Sequence, residues 1–79
     1  MSADFVAESI KLKREISLAL SVSYFMDKFS LLNKIAEIAS KYSSSHSIVE
    51  KLKNIAVYGA NLMRKEEIIQ RTFAIIREE

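Results

Sequence analysis

The side chains best suited to chemistry lie in one serine-rich segment around the single histidine. His46 is flanked by Ser43, Ser44, Ser45 and Ser47, and a serine beside a histidine is the minimum needed for nucleophilic catalysis. A catalytic base must be held in a fixed orientation, whereas a run of serines is typical of an exposed loop. No acidic residue lies close in sequence to orient the ring, although folding could supply one. We therefore predict that His46 is a solvated loop residue without a catalytic role.

The sequence offers little for a metal or phosphate site. It contains no cysteine and one histidine, so the usual ligands of zinc are missing. Its clearest carboxylate pairs, Glu66 with Glu67 and Glu78 with Glu79, are adjacent, whereas helical magnesium sites use carboxylates one turn apart. A single glycine cannot build a glycine-rich phosphate loop. We predict no metal, no cofactor, no small-molecule substrate and no enzymatic activity.

Basic residues are in modest excess, with a formal net charge of +2. Two small clusters, at residues 11–14 and 51–53, straddle their helices because positions i and i+2 point in nearly opposite directions. Neither forms the dense basic face of a strong nucleic-acid binder, and no aromatic residues for base stacking are interleaved with them. Nucleic-acid binding is therefore the second functional hypothesis. Its candidate contacts are Lys11, Lys13, Arg14, Lys51, Lys53, Arg64, Lys65 and Arg71.

The elements that must position these residues are organised around an uncharged stretch, ISLALSVSYFM, at residues 16–26. Its apolar residues alternate with serine and alanine, which is typical of a half-buried strand. No second alternating run of comparable length exists to pair with it, and a lone strand would leave its backbone groups unsatisfied. We predict a helix that is buried on all sides beyond Ile16, with a strand as the alternative. Its small side chains would let another helix approach closely.

The absence of proline and the single glycine favour long helices. We predict an all-α fold, a compact bundle of three to four helices at about residues 3–27, 30–42, 48–60 and 61–77, within a single domain, 1–79. Ser2 is the expected cap of the first helix, and Asp27 or Ser30 that of the second. A single bent helix through residues 3–42 is the alternative, because neither glycine nor proline interrupts the chain there.

Three further signals define the second half of the chain. Ser47 followed by Glu50 matches a capping box and predicts that Ser47 caps the third helix. Gly59 predicts either a break at residues 59–61 or a close crossing of helices, since glycine weakens a helix but leaves space beside it. Glu78 and Glu79 oppose the negative end of a helix dipole, so the last helix should fray there.

Composition indicates a folded, cytoplasmic domain. The chain is 49% hydrophobic, which is enough for a core, and its first residues lack the pattern of a secretory signal. The uncharged stretch is far shorter than the roughly 20 residues that span a bilayer, so we predict no membrane association. The charge-rich composition without cysteine is compatible with a heat-adapted source.

Apolar residues exceed what one small interior needs. The middle of the first helix is apolar around its circumference, and the last helix has a wide apolar face. Contiguous apolar surface left exposed on a monomer marks a site for a partner. The leading hypothesis is a non-enzymatic accessory subunit or homo-oligomer that acts through protein–protein association. Its candidate interface residues are Leu18, Val22, Phe25, Ile69, Phe73 and Ile76.

Overall fold

The computed structural model describes residues 3–78, which fold into four α-helices. In order they are α1 (Ala3–Ser21), α2 (Lys28–Ser40), α3 (Ser47–Leu62) and α4 (Lys65–Ile76), and a 3-10 turn, Ser23–Phe25, joins α1 to α2. No strand occurs in this part of the chain. Each helix packs on the next, and α4 also contacts α1, so the four helices share one interior. The predicted all-α bundle is confirmed.

The interior is built from branched aliphatic side chains with helical spacing. On α2, Leu31, Ile35 and Ile38 repeat every four and three residues and are almost fully covered. Each other helix presents a similar stripe to the same core. Its largest fully buried members are Leu12, Ile16, Leu31, Ile35, Ile38, Ile48, Val49, Leu52, Ile68 and Thr72.

The first helix ends at Ser21, well before the predicted end near residue 27. The hydroxyl of Ser21 donates to the carbonyl of Leu18 at 2.7 Å, and that of Ser23 donates to the carbonyl of Leu20 at 2.7 Å. Each hydroxyl competes with a helical amide for the same carbonyl, and at Leu18 the amide bond from Val22 is long, at 3.3 Å. Met26 is then fully extended, so α1 and α2 are separate helices and the single bent helix is wrong.

Asp27 caps α2, and it was one of the two residues predicted as the cap of this helix. Its carboxylate accepts a hydrogen bond from the amide of Ser30 at 2.8 Å. That bond holds the pKa of Asp27 below its usual value, because it stabilises the charged carboxylate. The second helix ends at Ser40, two residues before the predicted end.

Two predictions about the third helix, its cap residue and its end, were wrong. Its N-cap is His46 and its first residue is Ser47, so the prediction of Ser47 as the cap was wrong by one position. The helix also continues through Gly59 and ends at Leu62, so no break occurs at residues 59–61. A Cβ at Gly59 would lie 2.8 Å from Cδ2 of Leu32 on α2 and 3.4 Å from Cδ1 of Ile68 on α4. The glycine therefore permits a close helix crossing, which was the alternative.

Lys28 connects the start of α2 to the junction between α3 and α4 through hydrogen bonds. Its ammonium group donates to the carbonyl of Ala60 at 2.5 Å and to that of Met63 at 2.9 Å. Carbonyls at the end of a helix lack intrahelical partners, and a cation there also complements the helix dipole. Arg64 is the N-cap of α4, directly after this junction.

The described part of the chain begins within the first turn of α1 and ends two residues after α4. The predicted cap Ser2 and the terminal Glu79 lie outside the described residues. The fourth helix ends at Ile76, and the carboxylate of Glu78 beyond it pairs with Lys51 of α3 at 2.5 Å. None of the helices within residues 3–78 combines the length and apolar character needed to cross a membrane.

Candidate interaction surface

Five large hydrophobic side chains between residues 18 and 29 project from the bundle instead of entering its core. Tyr24 is 85% exposed, Phe25 86% and Leu18 63%. Val22 and Phe29 are about half exposed or more. We call Leu18, Val22, Tyr24, Phe25 and Phe29 the apolar segment. Aromatic side chains are large apolar groups that usually bury most of their surface, so their exposure needs an explanation.

The exposure of Leu18 follows from the helical spacing of α1. Ile16 and Leu20 are buried, and a residue two positions from each points about 200° away from them. Val22 follows Leu18 by four residues and extends the same outward row. The prediction that the helix is buried on all sides beyond Ile16 was therefore wrong: one side packs on the core and the other is open.

The 3-10 turn after α1 directs two aromatic rings outward. The amide of Phe25 donates to the carbonyl of Val22 at 3.0 Å, and that of Met26 donates to Ser23 at 3.0 Å. Ser23 faces inward and is buried, whereas Tyr24 and Phe25 point to solvent. Their rings meet edge to face with centroids 5.4 Å apart. The turn therefore fixes the backbone that carries both rings, and the rings contact each other on the surface.

A shallow groove lies between α1 and α2, beside Leu18 and Val22. It has a volume of about 330 Å³, with Glu15, Ser21 and Lys34 as its polar lining. Its apolar lining is Leu18, Ala19, Val22, Met26 and Ile38. Two members of the apolar segment, Leu18 and Val22, therefore line this groove.

Few charged residues lie within the apolar segment itself. Asp27 and Lys28 are the only charged residues between positions 18 and 29. The carboxylate of Asp27 is bonded within its own cap, and the ammonium of Lys28 is held by two carbonyls. The Lys65 ammonium approaches the Tyr24 carbonyl at 3.5 Å and borders the surface. The segment therefore presents mainly apolar area, and each of its two charged groups is hydrogen-bonded to the backbone.

The six predicted interface residues divide between this surface and α4. Leu18, Val22 and Phe25 belong to the apolar segment. Phe73 is partly exposed on α4, Ile69 is half-buried against the core, and Ile76 is buried within it. Sequence analysis missed Tyr24 and Phe29. Helical spacing did not indicate either residue, because Tyr24 lies in the 3-10 turn and Phe29 in the first turn of α2.

The eight candidate nucleic-acid contacts are distributed over three helices. Lys11, Lys13 and Arg14 lie on α1, Lys51 and Lys53 on α3, and Lys65 and Arg71 on α4, with Arg64 as its cap. Lys51 pairs with Glu78, and Arg71 with Glu67 at 2.9 Å. An acidic partner on the same face reduces the attraction of a cation for phosphate.

His46 is not the solvated loop residue that was predicted. It is 3% exposed, its Nε2 lies 2.9 Å from Oε1 of Glu8, and its ring stacks on Phe5 with centroids 4.1 Å apart. The loop hydroxyls of Ser43 and Ser45 lie 2.8 Å from each other. A pocket of about 460 Å³ opens beside the ring, between α1 and the start of α3. The observed contacts of His46 give it a structural role, since they join α1 to the cap of α3.

A second polar cluster joins α1 to the end of α2. Oε1 of Glu15 lies 2.6 Å from the Lys41 ammonium, and the Tyr42 hydroxyl donates to Oε2 of Glu15. The bonds from Lys41 and then Tyr42 lower the pKa of Glu15, because they stabilise the carboxylate. Burial, reinforced by the Glu15 bond, raises the pKa of Tyr42 to about 12. The cluster stabilises the helix pair.

Neither polar cluster indicates a metal site, and no family resemblance assigns a role to either of them. Among residues 3–78, acidic and histidine side chains form no group of three placed to hold a metal ion. Comparison of the chain with protein-family models, curated proteins and solved structures found no match. The apolar segment is therefore the feature from which a function can best be argued.

Proposed function

We propose that this protein is a non-enzymatic cytoplasmic association module, either an accessory subunit of a larger complex or a homo-oligomer. The observation that carries the proposal is the apolar segment, five large hydrophobic side chains exposed between α1 and α2. Exposed apolar side chains cost free energy in water, and their burial is the main favourable contribution to protein association.

The composition of the surface supports a protein partner. Interface cores are rich in tyrosine, phenylalanine and methionine and poor in charge. Tyr24 and Phe25 lie on a hydrogen-bonded turn, so the backbone that carries both rings is already ordered before binding. Met26, in the adjoining groove, is flexible enough to adapt to a partner side chain.

Nucleic-acid binding fits this surface less well. Exposed rings can stack on bases, but proteins that bind single strands combine such rings with a basic groove along the backbone. The one lysine within the segment, Lys28, is held by the carbonyls of Ala60 and Met63. The exposed cations Arg14 and Lys53 lie on α1 and α3, outside the segment.

Site-specific photo-crosslinking tests the proposal. A photoreactive phenylalanine analogue is placed at position 25 and, in a matched control, at position 57, where Val57 is 67% exposed on α3. After irradiation in cells, we expect protein adducts from position 25 and few from position 57. Equal yields at the two positions would contradict the proposal. Adducts to nucleic acid in place of protein would favour the second hypothesis.

A further inference from the structure

We infer that the pocket between α1 and the start of α3 binds a small amphiphilic carboxylate, a molecule with an apolar body and one negatively charged end. The pocket has a volume of about 460 Å³, within the range of small-molecule sites. It is separate from the apolar segment, because Ile10 in the pocket and Leu18 in the segment lie about 12 Å apart along the axis of α1. The inference concerns binding without chemical conversion, and it goes beyond the proposed function.

One wall of the pocket is an apolar row on α1. Val6 and Ile10 are one helical turn apart, so they lie on the same side of the helix, and both line the pocket. Val6 is 45% exposed and Ile10 53%, although valine and isoleucine are among the residues most often buried. Phe5 and Ile48 complete the apolar lining. An apolar ligand body in this pocket would remove the exposed area of Val6 and Ile10 from water.

The rest of the lining is polar and carries positive charge. Lys13 lies one turn after Ile10 on the same side of α1. Three serines also line the pocket: Ser9, Ser45 and Ser47. No acidic side chain of residues 3–78 belongs to the lining. Ammonium and hydroxyl groups donate hydrogen bonds to carboxylates. A ligand with one negative charge matches the single lysine better than a phosphate, which carries more charge.

Contacts between the two walls shape the pocket before a ligand enters it. The ring of His46 stacks on Phe5 with centroids 4.1 Å apart, and its Nε2 lies 2.9 Å from Oε1 of Glu8. Both contacts join α1 to the residue that caps α3. Because the walls are already connected, a ligand does not have to bring them together, which lowers the entropic cost of binding.

Titration of the methyl-labelled protein with octanoate, followed by NMR, tests the inference. We expect saturable binding with a Kd on the order of 0.5 mM, an affinity that ligand efficiency allows for a molecule of this size. The largest shifts should occur at Val6, Ile10 and Ile48. Shifts centred on Leu18 and Val22 would place the ligand on the apolar segment and overturn the inference. Absence of binding at about 5 mM octanoate, where such a site is nearly saturated, would also overturn it.

Two related probes test the chemical class of the ligand. Octanol has the same chain without the charge, so it should bind roughly fivefold more weakly than octanoate. Acetate has the carboxylate without the chain and should produce no saturable shifts over the same concentrations. Equal affinity for octanol and octanoate would overturn the selection of a carboxylate. Binding of acetate as tight as that of octanoate would overturn the role of the apolar wall.

Variants of the two kinds of lining residue locate the site. Ile10→Glu places a like charge in the apolar wall and should weaken octanoate binding roughly tenfold or more. Val57→Glu, its control at an exposed apolar position on α3, should leave the Kd unchanged. Equal effects of these two substitutions would overturn the location. Circular dichroism checks that both variants are folded.

The lysine provides a second test that does not alter the apolar wall. Lys13→Gln should weaken octanoate binding roughly fivefold and leave octanol binding unchanged, because only the carboxylate uses the ammonium group. Lys53→Gln, exposed on α3, is the control and should change neither. Equal loss of octanoate and octanol binding in Lys13→Gln would overturn the assignment of the charged end to Lys13. Crosslinking from position 25 is independent of these results, so failure of the inference leaves the proposed function standing.

Discussion

Nε2 of His46 lies 2.9 Å from Oε1 of Glu8, although the two residues are 38 positions apart in sequence. The contact joins the first half of α1 to the cap of α3, and stacking of the His46 ring on Phe5 reinforces it. Because the bond crosses between α1 and the loop before α3, it restricts a segment whose serine-rich sequence would otherwise favour many conformations.

Replacement of His46 should therefore destabilise the fold. His46→Ala removes a buried ring and a hydrogen bond to a carboxylate, so we expect a loss of about 1–3 kcal/mol in the free energy of unfolding. Ser44→Ala, at an exposed position of the same loop, should change it by less than about 0.5 kcal/mol. Urea denaturation measures both. Equal effects of the two substitutions would show that the contact contributes nothing.

We expect the free energy of unfolding to fall at alkaline pH because of the Tyr42 hydroxyl. Its pKa is raised from 10.0 to about 12, so the folded state holds the phenolic proton more tightly than the unfolded state. This contribution is complete below pH 10 and is lost as the pH rises through 12. Unfolding measured across that range should show a decline that is smaller in Tyr42→Phe. An identical decline in both proteins would contradict it.

The Glu15 carboxylate should account for part of that shift. Glu15→Gln keeps a side chain of similar size but removes the charge, so the pKa of Tyr42 should fall towards its ordinary value. It should remain raised, because burial is the larger cause. Phenolate absorbance of wild type, Glu15→Gln and Tyr42→Phe against pH resolves the change. A Tyr42 pKa unaffected by Glu15→Gln would show that the bond is not formed in solution.

Lys28 should stabilise the junction between α3 and α4. Lys28→Met keeps much of the apolar stem but leaves two carbonyls without their donor, so we expect a loss of about 1–2 kcal/mol. Lys34→Met is the matched control on the same helix, since its pair with Glu37 is exposed and should contribute under about 0.5 kcal/mol. Thermal or urea unfolding compares them. A Lys28 effect no larger than that of Lys34 would contradict this account.

Much of the helical architecture was predictable from the sequence because it depends on local spacing. The repeat of Leu31, Ile35 and Ile38 located α2, and Asp27 was recognisable as a cap because the cap bond spans three residues. The end of α1 was not predictable in this way. Serine can bond back to a helix carbonyl with or without ending the helix, and only the structure shows that Ser21 and Ser23 do so at its end.

Contacts between distant residues limited the prediction of candidate sites. His46 is covered by contacts with Glu8 and Phe5, and the Tyr42 hydroxyl bonds to Glu15. The residues next to His46 and Tyr42 in sequence give no indication of these distant partners. The apolar segment was partly predictable. The surplus of apolar residues on α1 pointed to Leu18 and Val22, whereas the exposure of Tyr24 depends on a 3-10 turn that the sequence did not indicate.

Gly59 should be required for the approach of α2 to α3. Alanine would gain about 1 kcal/mol in helix propensity but would press on buried Leu32, at a cost of about 1–3 kcal/mol, so we expect net destabilisation. In a Leu32→Ala background the space is open and Gly59→Ala should become stabilising. Urea unfolding of the four proteins in this cycle measures the coupling. Equal effects of Gly59→Ala in both backgrounds would contradict the close crossing.

Hydroxyl-radical footprinting of the protein in cells, compared with dilute purified protein, tests most directly whether a partner covers the apolar segment. Modification of Leu18, Tyr24 and Phe25 reports on the segment, and that of Val57 and Tyr58, also exposed on α3, serves as the internal control. The account predicts that the segment residues are protected in cells while the α3 residues react equally in both samples. Undiminished modification of Tyr24 and Phe25 in cells would contradict it.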